Sequence, residues 1–142
     1  MLEIIQAGIK GAAGGALVKN ALKKAAIKKA IKGSSVTLIA AGKAAVPMAS
    51  SFLSNYEGSV KRGLVATSKK QVNIEGVETI IVGHPLPTEA SELAGRKALK
   101  LAHQVSTKEK LVVLLSGGAS AGLAVPITSL TLEEKVQATH AL

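Results

Sequence analysis

Five aliphatic residues in a row, Leu111 to Leu115, run directly into Ser116-Gly117-Gly118-Ala119-Ser120-Ala121-Gly122. An unbroken apolar run has no polar face to offer water. It reads as a strand covered on both sides, the pattern of a parallel sheet between helices. Val36-Thr37-Leu38-Ile39-Ala40 repeats the arrangement and exits through Ala41-Gly42-Lys43. The core has to be aliphatic, because the chain holds one Tyr, one Phe and no Trp. With 142 residues and 47% hydrophobic content, one domain with a real core is expected.

The remaining segments alternate in the same way. Residues 2–32 read as helix, broken near Gly11 and at Gly14-Gly15, with Gly33 as the stop. Pro47 falls in the first turn of a helix reaching about Leu53. Gly63–Thr67 and Thr79–Val82 are further strands. The link Ser68 to Glu78 is too short for a crossover helix, so one of them is an edge or runs antiparallel. Thr88 caps a helix to about Val105, with Glu89 and Glu92 at its positive end. Thr131-x-x-Glu134 is a capping box opening a last helix. That helix pattern reaches Leu142 without Gly, Pro or a polar tail, which reads as a chain cut in mid-helix. The predicted fold class is α/β: a Rossmann-like three-layer domain with a mostly parallel sheet, truncated. Residues 1–33 form leading helices and 34–142 the strand-loop-helix units.

The formal net charge is +9, so an anionic partner is expected. Lys19, Lys23, Lys24, Lys28, Lys29 and Lys32 crowd one segment. On a continuous helix Lys24, Lys28 and Lys32 share one side and Lys19 and Lys23 another, which reads as a solvated surface. A basic nucleic-acid-binding module is kept as a rival, although the shortage of aromatics argues against single-stranded targets. The lack of Cys excludes disulfides and thiolate zinc sites and points to a reducing, cytoplasmic location. No apolar run approaches the roughly 20 residues that span a bilayer, and no membrane partner is expected. Glu3 and Lys10 argue against a secretory signal.

Ligands of α/β sheets bind where strands end and helices begin. Three exits qualify. At Gly42-Lys43 the glycine admits close backbone approach and the lysine adds a mobile charge. It is not a Walker A loop, because Thr37 and Ala44 stand where that pattern needs Gly and Ser or Thr. Taken alone, Lys43 reads more readily as an ordinary exposed lysine at a loop. The loop Ser116, Gly117, Gly118, Ser120 can wrap phosphate oxygens or merely supply a tight turn. In Gly83-His84-Pro85-Leu86-Pro87-Thr88-Glu89 the prolines hold the exit extended, which can aim His84 and Glu89 into a cleft, although a lone His is more often structural. No His or Glu set has metal-ligand spacing, and the chain has no Asp. Gly118-Ala119-Ser120-Ala121-Gly122 also fits the G-x-S-x-G elbow of a serine hydrolase. Its triad partners would have to come from Glu133, Glu134 and His140, all on the last helix, so a hydrolase fragment is a minor alternative.

In this order the three exits resemble the type 2 glycerate kinases, the family whose C-terminal part is the MOFRL domain. Ala40-Ala41-Gly42-Lys43-Ala44-Ala45 is similar to their Gly-Lys-Ala segment, and Gly83 to Ser91 to their G-H-P-x-P-[DT]-E-x-S segment. Leu114 to Ala121 resembles their L-[IL]-S-G-G-G-S-A loop, and Leu130 to Lys135 the helix start that follows. The resemblance covers most of the chain. It implies ATP-dependent phosphorylation of D-glycerate with Mg²⁺, 2-phosphoglycerate being the favoured product. It implies that Lys43 is catalytic and touches substrate, and that His84 and Glu89 bind substrate. Gly42, Ser116, Gly117, Gly118 and Ser120 would hold phosphate or nucleotide. It also implies a second domain, outside this chain, that supplies the metal ligands, so this fragment by itself would be inactive; a homodimer is left open. Two positions depart from the pattern: Ala119 replaces the third glycine, and Gly122 stands where an aliphatic residue is usual.

Overall fold

The computed structural model describes residues 1–70 and 72–141. Its centre is a parallel sheet in the order β3-β2-β1-β4, with β1 Ser35–Ala41, β2 Ser59–Thr67, β3 Glu78–Ile81 and β4 Glu109–Leu115. Strand β1 is paired on both edges, and its alternate side chains meet two helical layers. Val36, Leu38 and Ala40 face Ala45, Ala49 and Phe52 of α4 (Ala45–Asn55), whereas Ile39 and Ala41 face Ala98 and Ala94 of α5 (Glu89–His103). The three-layer expectation holds.

Strand β4 is different. Val112 and Leu114 pack toward the α4 layer, but Leu111, Val113 and Leu115 on the opposite face are exposed among the described residues. The unbroken run predicts two covered faces, and one is covered here.

The leading segment is three helices, α1 Leu2–Ala12, α2 Gly14–Lys23 and α3 Ala25–Ile31. Its breaks fall at Ala13 and Lys24, both extended; the first lies near Gly11 as expected, whereas Gly14-Gly15 stays within α2 and the second break has no glycine. Gly14 and Gly15 stay helical because that face of α2 lies directly on α4. A Cβ at Gly14 would sit 2.8 Å from Met48 Cγ, and one at Gly15 3.0 Å from the Pro47 carbonyl oxygen. The Ser51 hydroxyl also donates to the Gly15 carbonyl at 2.7 Å. Close approach offsets the roughly 1 kcal/mol that a helical glycine costs.

Strands β2 and β3 run parallel without a helix between them, Leu64 pairing with Glu78 and Thr67 with Ile81. The antiparallel alternative is therefore wrong and the edge alternative right. The loop can pass over the sheet because Gly63 leaves room for Val77, whose Cγ1 would lie 2.1 Å from a Cβ there. Two helices follow β4, α6 Ala119–Gly122 and α7 Leu132–His140, the latter capped reciprocally by Thr131 and Glu134. Leu142, where the expected helix pattern ends, lies outside the described residues.

A polar cluster ties the amino ends of β1, β2 and β4. The buried Glu109 carboxylate accepts from Thr37 Oγ1 at 2.5 Å and from Arg62 Nη2 at 2.8 Å, and Arg62 reaches Gln104 as well. The Thr37 hydroxyl, helped by Arg62, holds the Glu109 carboxyl below its ordinary value of 4.5. A lowered folded-state value stabilises the fold above the unfolded value and loses that contribution as pH falls through the folded one. Thermal melts from pH 7 to pH 3 should therefore show a steeper acid loss in the parent chain than in Glu109→Gln. Parallel curves would remove this cluster from the acid response.

Candidate functional site

At the carboxyl ends of β1, β3 and β4 three loops meet. The chain leaves β1 and turns at Gly42 with φ +106°, a region that side chains rarely adopt. The turn lies directly beneath the loop after β4: a Cβ at Gly42 would sit 2.5 Å from both the carbonyl oxygen and Oγ of Ser116. Backbone and hydroxyl groups then lace the two exits together. Lys43 N donates to the Gly117 carbonyl at 2.9 Å, Ala44 N donates to Ser116 Oγ at 2.9 Å, and Ser116 N donates to the Ala41 carbonyl at 3.0 Å. Ser116 Oγ itself donates to Ala41 O at 3.2 Å. The Ser116 hydroxyl thus uses its proton and one lone pair on the scaffold. Ser116→Ala should cost about 1 kcal/mol in a urea titration, the usual net worth of such bonds.

Above this lacing, Gly117 is exposed and Gly118 adopts φ +85°. Neither backbone N–H has a protein acceptor among the described residues. Successive free N–H groups at a turn of this kind form an anion cradle. The imidazole of His84 lies against it, with Nδ1 3.1 Å from where a Gly118 Cβ would be. Gly42, Lys43, Ser68, Val82, Gly83, His84 and Gly118 line one cleft of about 10 Å³, room for about one water. The Lys43 and His84 side chains are exposed at its mouth. Ser68 carries no motif; only the strand order, which places the end of β2 beside β1, brings it here.

The other expected residues lie elsewhere. Buried Ser91 accepts at Oγ from Gly83 N at 3.1 Å and from Thr88 N at 3.0 Å, closing Gly83–Thr88 into an arch. His84 faces the cleft on one side of the arch. Glu89 lines a separate cavity of about 360 Å³ with Pro87, Leu132, Glu133 and Val136, between the starts of α5 and α7. Ser120 is exposed on α6 and is not part of the cleft lining. The two departures from the motif have physical reasons. Positive φ falls on Gly118, so Ala119 opens α6 in ordinary helical conformation. Gly122 is buried beside Ala66 of β2 and Val82, the residue after β3, and a Cβ would come within 3.3 Å of Val82 Cγ2. A Gly122→Val change should therefore cost about 1–3 kcal/mol through overpacking, read from the denaturation midpoint.

Among the described residues no three His, Cys, Asp or Glu side chains converge where a metal ion could sit. Mg²⁺ does not fit this set of groups. Among the same residues no helix is long and apolar enough to cross a membrane.

The family described as Domain of unknown function (DUF4147) matches residues 1–142. The chain belongs to the DUF4147 family. This DUF4147 domain is similar to D-glycerate 2-kinase of Thermotoga maritima, 33% identical over 109 residues, which are 75% of this chain and 26% of that protein. It is similar to glycerate 2-kinase of Pyrococcus horikoshii, 32% identical over 105 residues, 73% of this chain and 23% of that protein. A protein of Agrobacterium vitis named for hydroxypyruvate reductase is 29% identical over 106 residues, 74% of this chain and 24% of that protein. The crystal structure of glycerate kinase from Thermotoga maritima superposes with a TM-score of 0.85 at 30% identity, over 99% of this chain and 33% of that one. The DUF4147 domain spans about a quarter of the length of the curated relatives it matches.

Proposed function

We propose that the DUF4147 domain forms the phosphate-facing wall of a glycerate kinase cleft. In this reading the protein transfers the γ-phosphoryl group of ATP to a hydroxyl of D-glycerate and yields 2-phosphoglycerate. The observation that carries it is the convergence at one set of strand exits of Lys43, the Gly117 and Gly118 N–H groups, unpaired among the described residues, and His84. The similarity to two glycerate 2-kinases supports the choice of substrate.

The glycerate hydroxyl oxygen attacks the γ-phosphorus, the bond to the β–γ bridging oxygen breaks, ADP leaves, and the hydroxyl proton passes to solvent water. Phosphoryl transfer asks little covalent chemistry of the protein; it asks for position and for charge. The Gly117 and Gly118 N–H groups hold phosphate oxygens without reorganising, because the lacing through Ser116 fixes the loop. Lys43 offsets the negative charge that develops on the transferring group. Gly42 lets the β1 exit approach, Ser116 positions the loop, His84 orients glycerate, and Ser120 contributes a hydroxyl from the first turn of α6. Glu89 acts from the neighbouring cavity and shapes the approach of substrate.

The test is a coupled assay for ADP release from ATP and D-glycerate in the full-length protein, with the product assigned by phosphorus NMR. A signal of 2-phosphoglycerate is expected, and no glycerate-dependent ADP would overturn the reading. The 142-residue chain by itself should show none, since it spans about a quarter of the length of the glycerate 2-kinases it is similar to. The Agrobacterium vitis relative favours a second reading, reduction of hydroxypyruvate. The chain has no G-x-G-x-x-G for a dinucleotide, and NADH oxidation with hydroxypyruvate should be absent. A cytoplasmic location belongs to the same proposal.

A further inference from the structure

The largest concentration of charge in the chain lies far from the cleft. Read along one continuous helix, Lys19 and Lys23 stand apart from Lys28 and Lys32. The extended backbone at Lys24, φ −67° and ψ 129°, ends α2 and starts α3 in a new direction. Lys19, Lys23, Lys28 and Lys32 thereby line one cavity of about 320 Å³. Leu22, Ile31 and Tyr56 give it an apolar wall.

The cavity is built, not incidental. The Tyr56 hydroxyl contacts the carbonyl oxygens of Ile31 at 2.9 Å and Ser34 at 2.6 Å, tying the end of α3 to the end of α4. The Tyr56 ring stacks on Phe52 with centroids 4.9 Å apart. Gly58 has to be glycine beneath it, since a Cβ would lie 2.5 Å from the Tyr56 oxygen. The one acid in the lining, Glu57, forms no salt bridge with these lysines, and no other carboxylate does among the described residues. Four lysines against the single carboxylate of Glu57 leave the lining net positive, and an anion there offsets that charge. The volume, about 320 Å³, is at the lower end of small-molecule sites.

Gly33 precedes β1 and Gly58 precedes β2, so the cavity sits at the amino ends of the strands, whereas the cleft is at their carboxyl ends. Seven residues of β1 separate the two, about 20 Å at the rise of a strand. We infer that this cavity is a second anion site, which takes a small organic phosphate with an apolar body and is distinct from the cleft of the proposed kinase.

Phenyl phosphate, a dianion on an aromatic ring, is the probe, titrated calorimetrically into the full-length Lys43→Ala protein so that the cleft contributes little. Saturable binding is expected, tighter than for inorganic phosphate because of the apolar wall. Adding Lys23→Gln and Lys28→Gln together should weaken it at least tenfold, with an unchanged melting temperature confirming the fold. The inference fails if phenyl phosphate binding is abolished by Lys43→Ala, or survives the double lysine change, or is no tighter than chloride at equal ionic strength. It fails equally if the lysine change alters binding only to duplex DNA or to anionic phosphatidylserine vesicles, since a macromolecular surface would then be the occupant. Loss of glycerate kinase activity would not bear on it, because the readout is binding at the far end of the sheet.

Discussion

Lys43→Ala in the full-length protein is expected to lower kcat for glycerate phosphorylation by about 10²- to 10³-fold, the usual consequence of removing one electrostatic group from a charged transition state. The side chain is exposed and forms no salt bridge among the described residues, so stability should change by less than about 0.5 kcal/mol. The bond from Lys43 to the Gly117 carbonyl comes from the backbone N–H and survives the change. That separation makes the result interpretable: a fall in kcat without a fall in Tm assigns the ammonium to the chemistry. Lys43→Arg should recover part of the rate, since it restores charge without the same reach. Unchanged turnover in Lys43→Ala would remove Lys43 from the mechanism, whatever its position.

Gly42→Val is expected to be the most damaging change to the site's framework. A β-branched residue at φ +106° carries backbone strain of about 1–2 kcal/mol by analogy with other left-handed positions. Its Cβ also meets two Ser116 atoms at 2.5 Å and the Gly117 carbonyl oxygen at 2.8 Å, so overpacking adds about 1–3 kcal/mol. The total is a large part of the stability of a small domain. Gly33→Val is the matched control, because Gly33 has φ +66° with nothing within 4 Å of a Cβ. It should lose only the conformational part. Equal urea midpoints for the two variants would mean that the contact between the β1 and β4 exits is softer than its geometry implies. Activity should be lost in Gly42→Val even where a folded fraction persists, because the loop that presents Gly117 and Gly118 rests on this turn.

Much of the fold is legible in the residues. The aliphatic runs ending in glycine locate β1 and β4, and Thr131-x-x-Glu134 locates α7, because these signals act over a few neighbouring residues. In the leading helices, Gly14-Gly15 is where local reading misplaces a break. Gly14 and Gly15 weaken a helix locally, but α2 needs them to lie on α4, and that partner is about 30 residues away in sequence. The same limit applies to β4. An aliphatic run states that a strand can be buried on both faces, not which neighbours arrive to cover it.

The site divides along the same line. Gly42, Lys43, His84, Ser116, Gly117 and Gly118 are all marked in the sequence, because glycine and a polar residue at a strand exit are a local signature of ligand contact. Which of the marked residues share a cleft is a matter of distance between segments. Tertiary structure sets Lys43 beside His84 and Gly118, turns Glu89 toward another cavity behind the Ser91 arch, and adds Ser68, which no motif marks. It also gathers lysines from two helices around one cavity by a single extended residue at Lys24. By itself, then, the sequence determines the α/β class, the strand exits and the groups available there, since each follows from local periodicity and backbone preference. Which of those groups meet is decided only by the tertiary structure, because strand order and helix packing join residues that lie tens of positions apart along the chain.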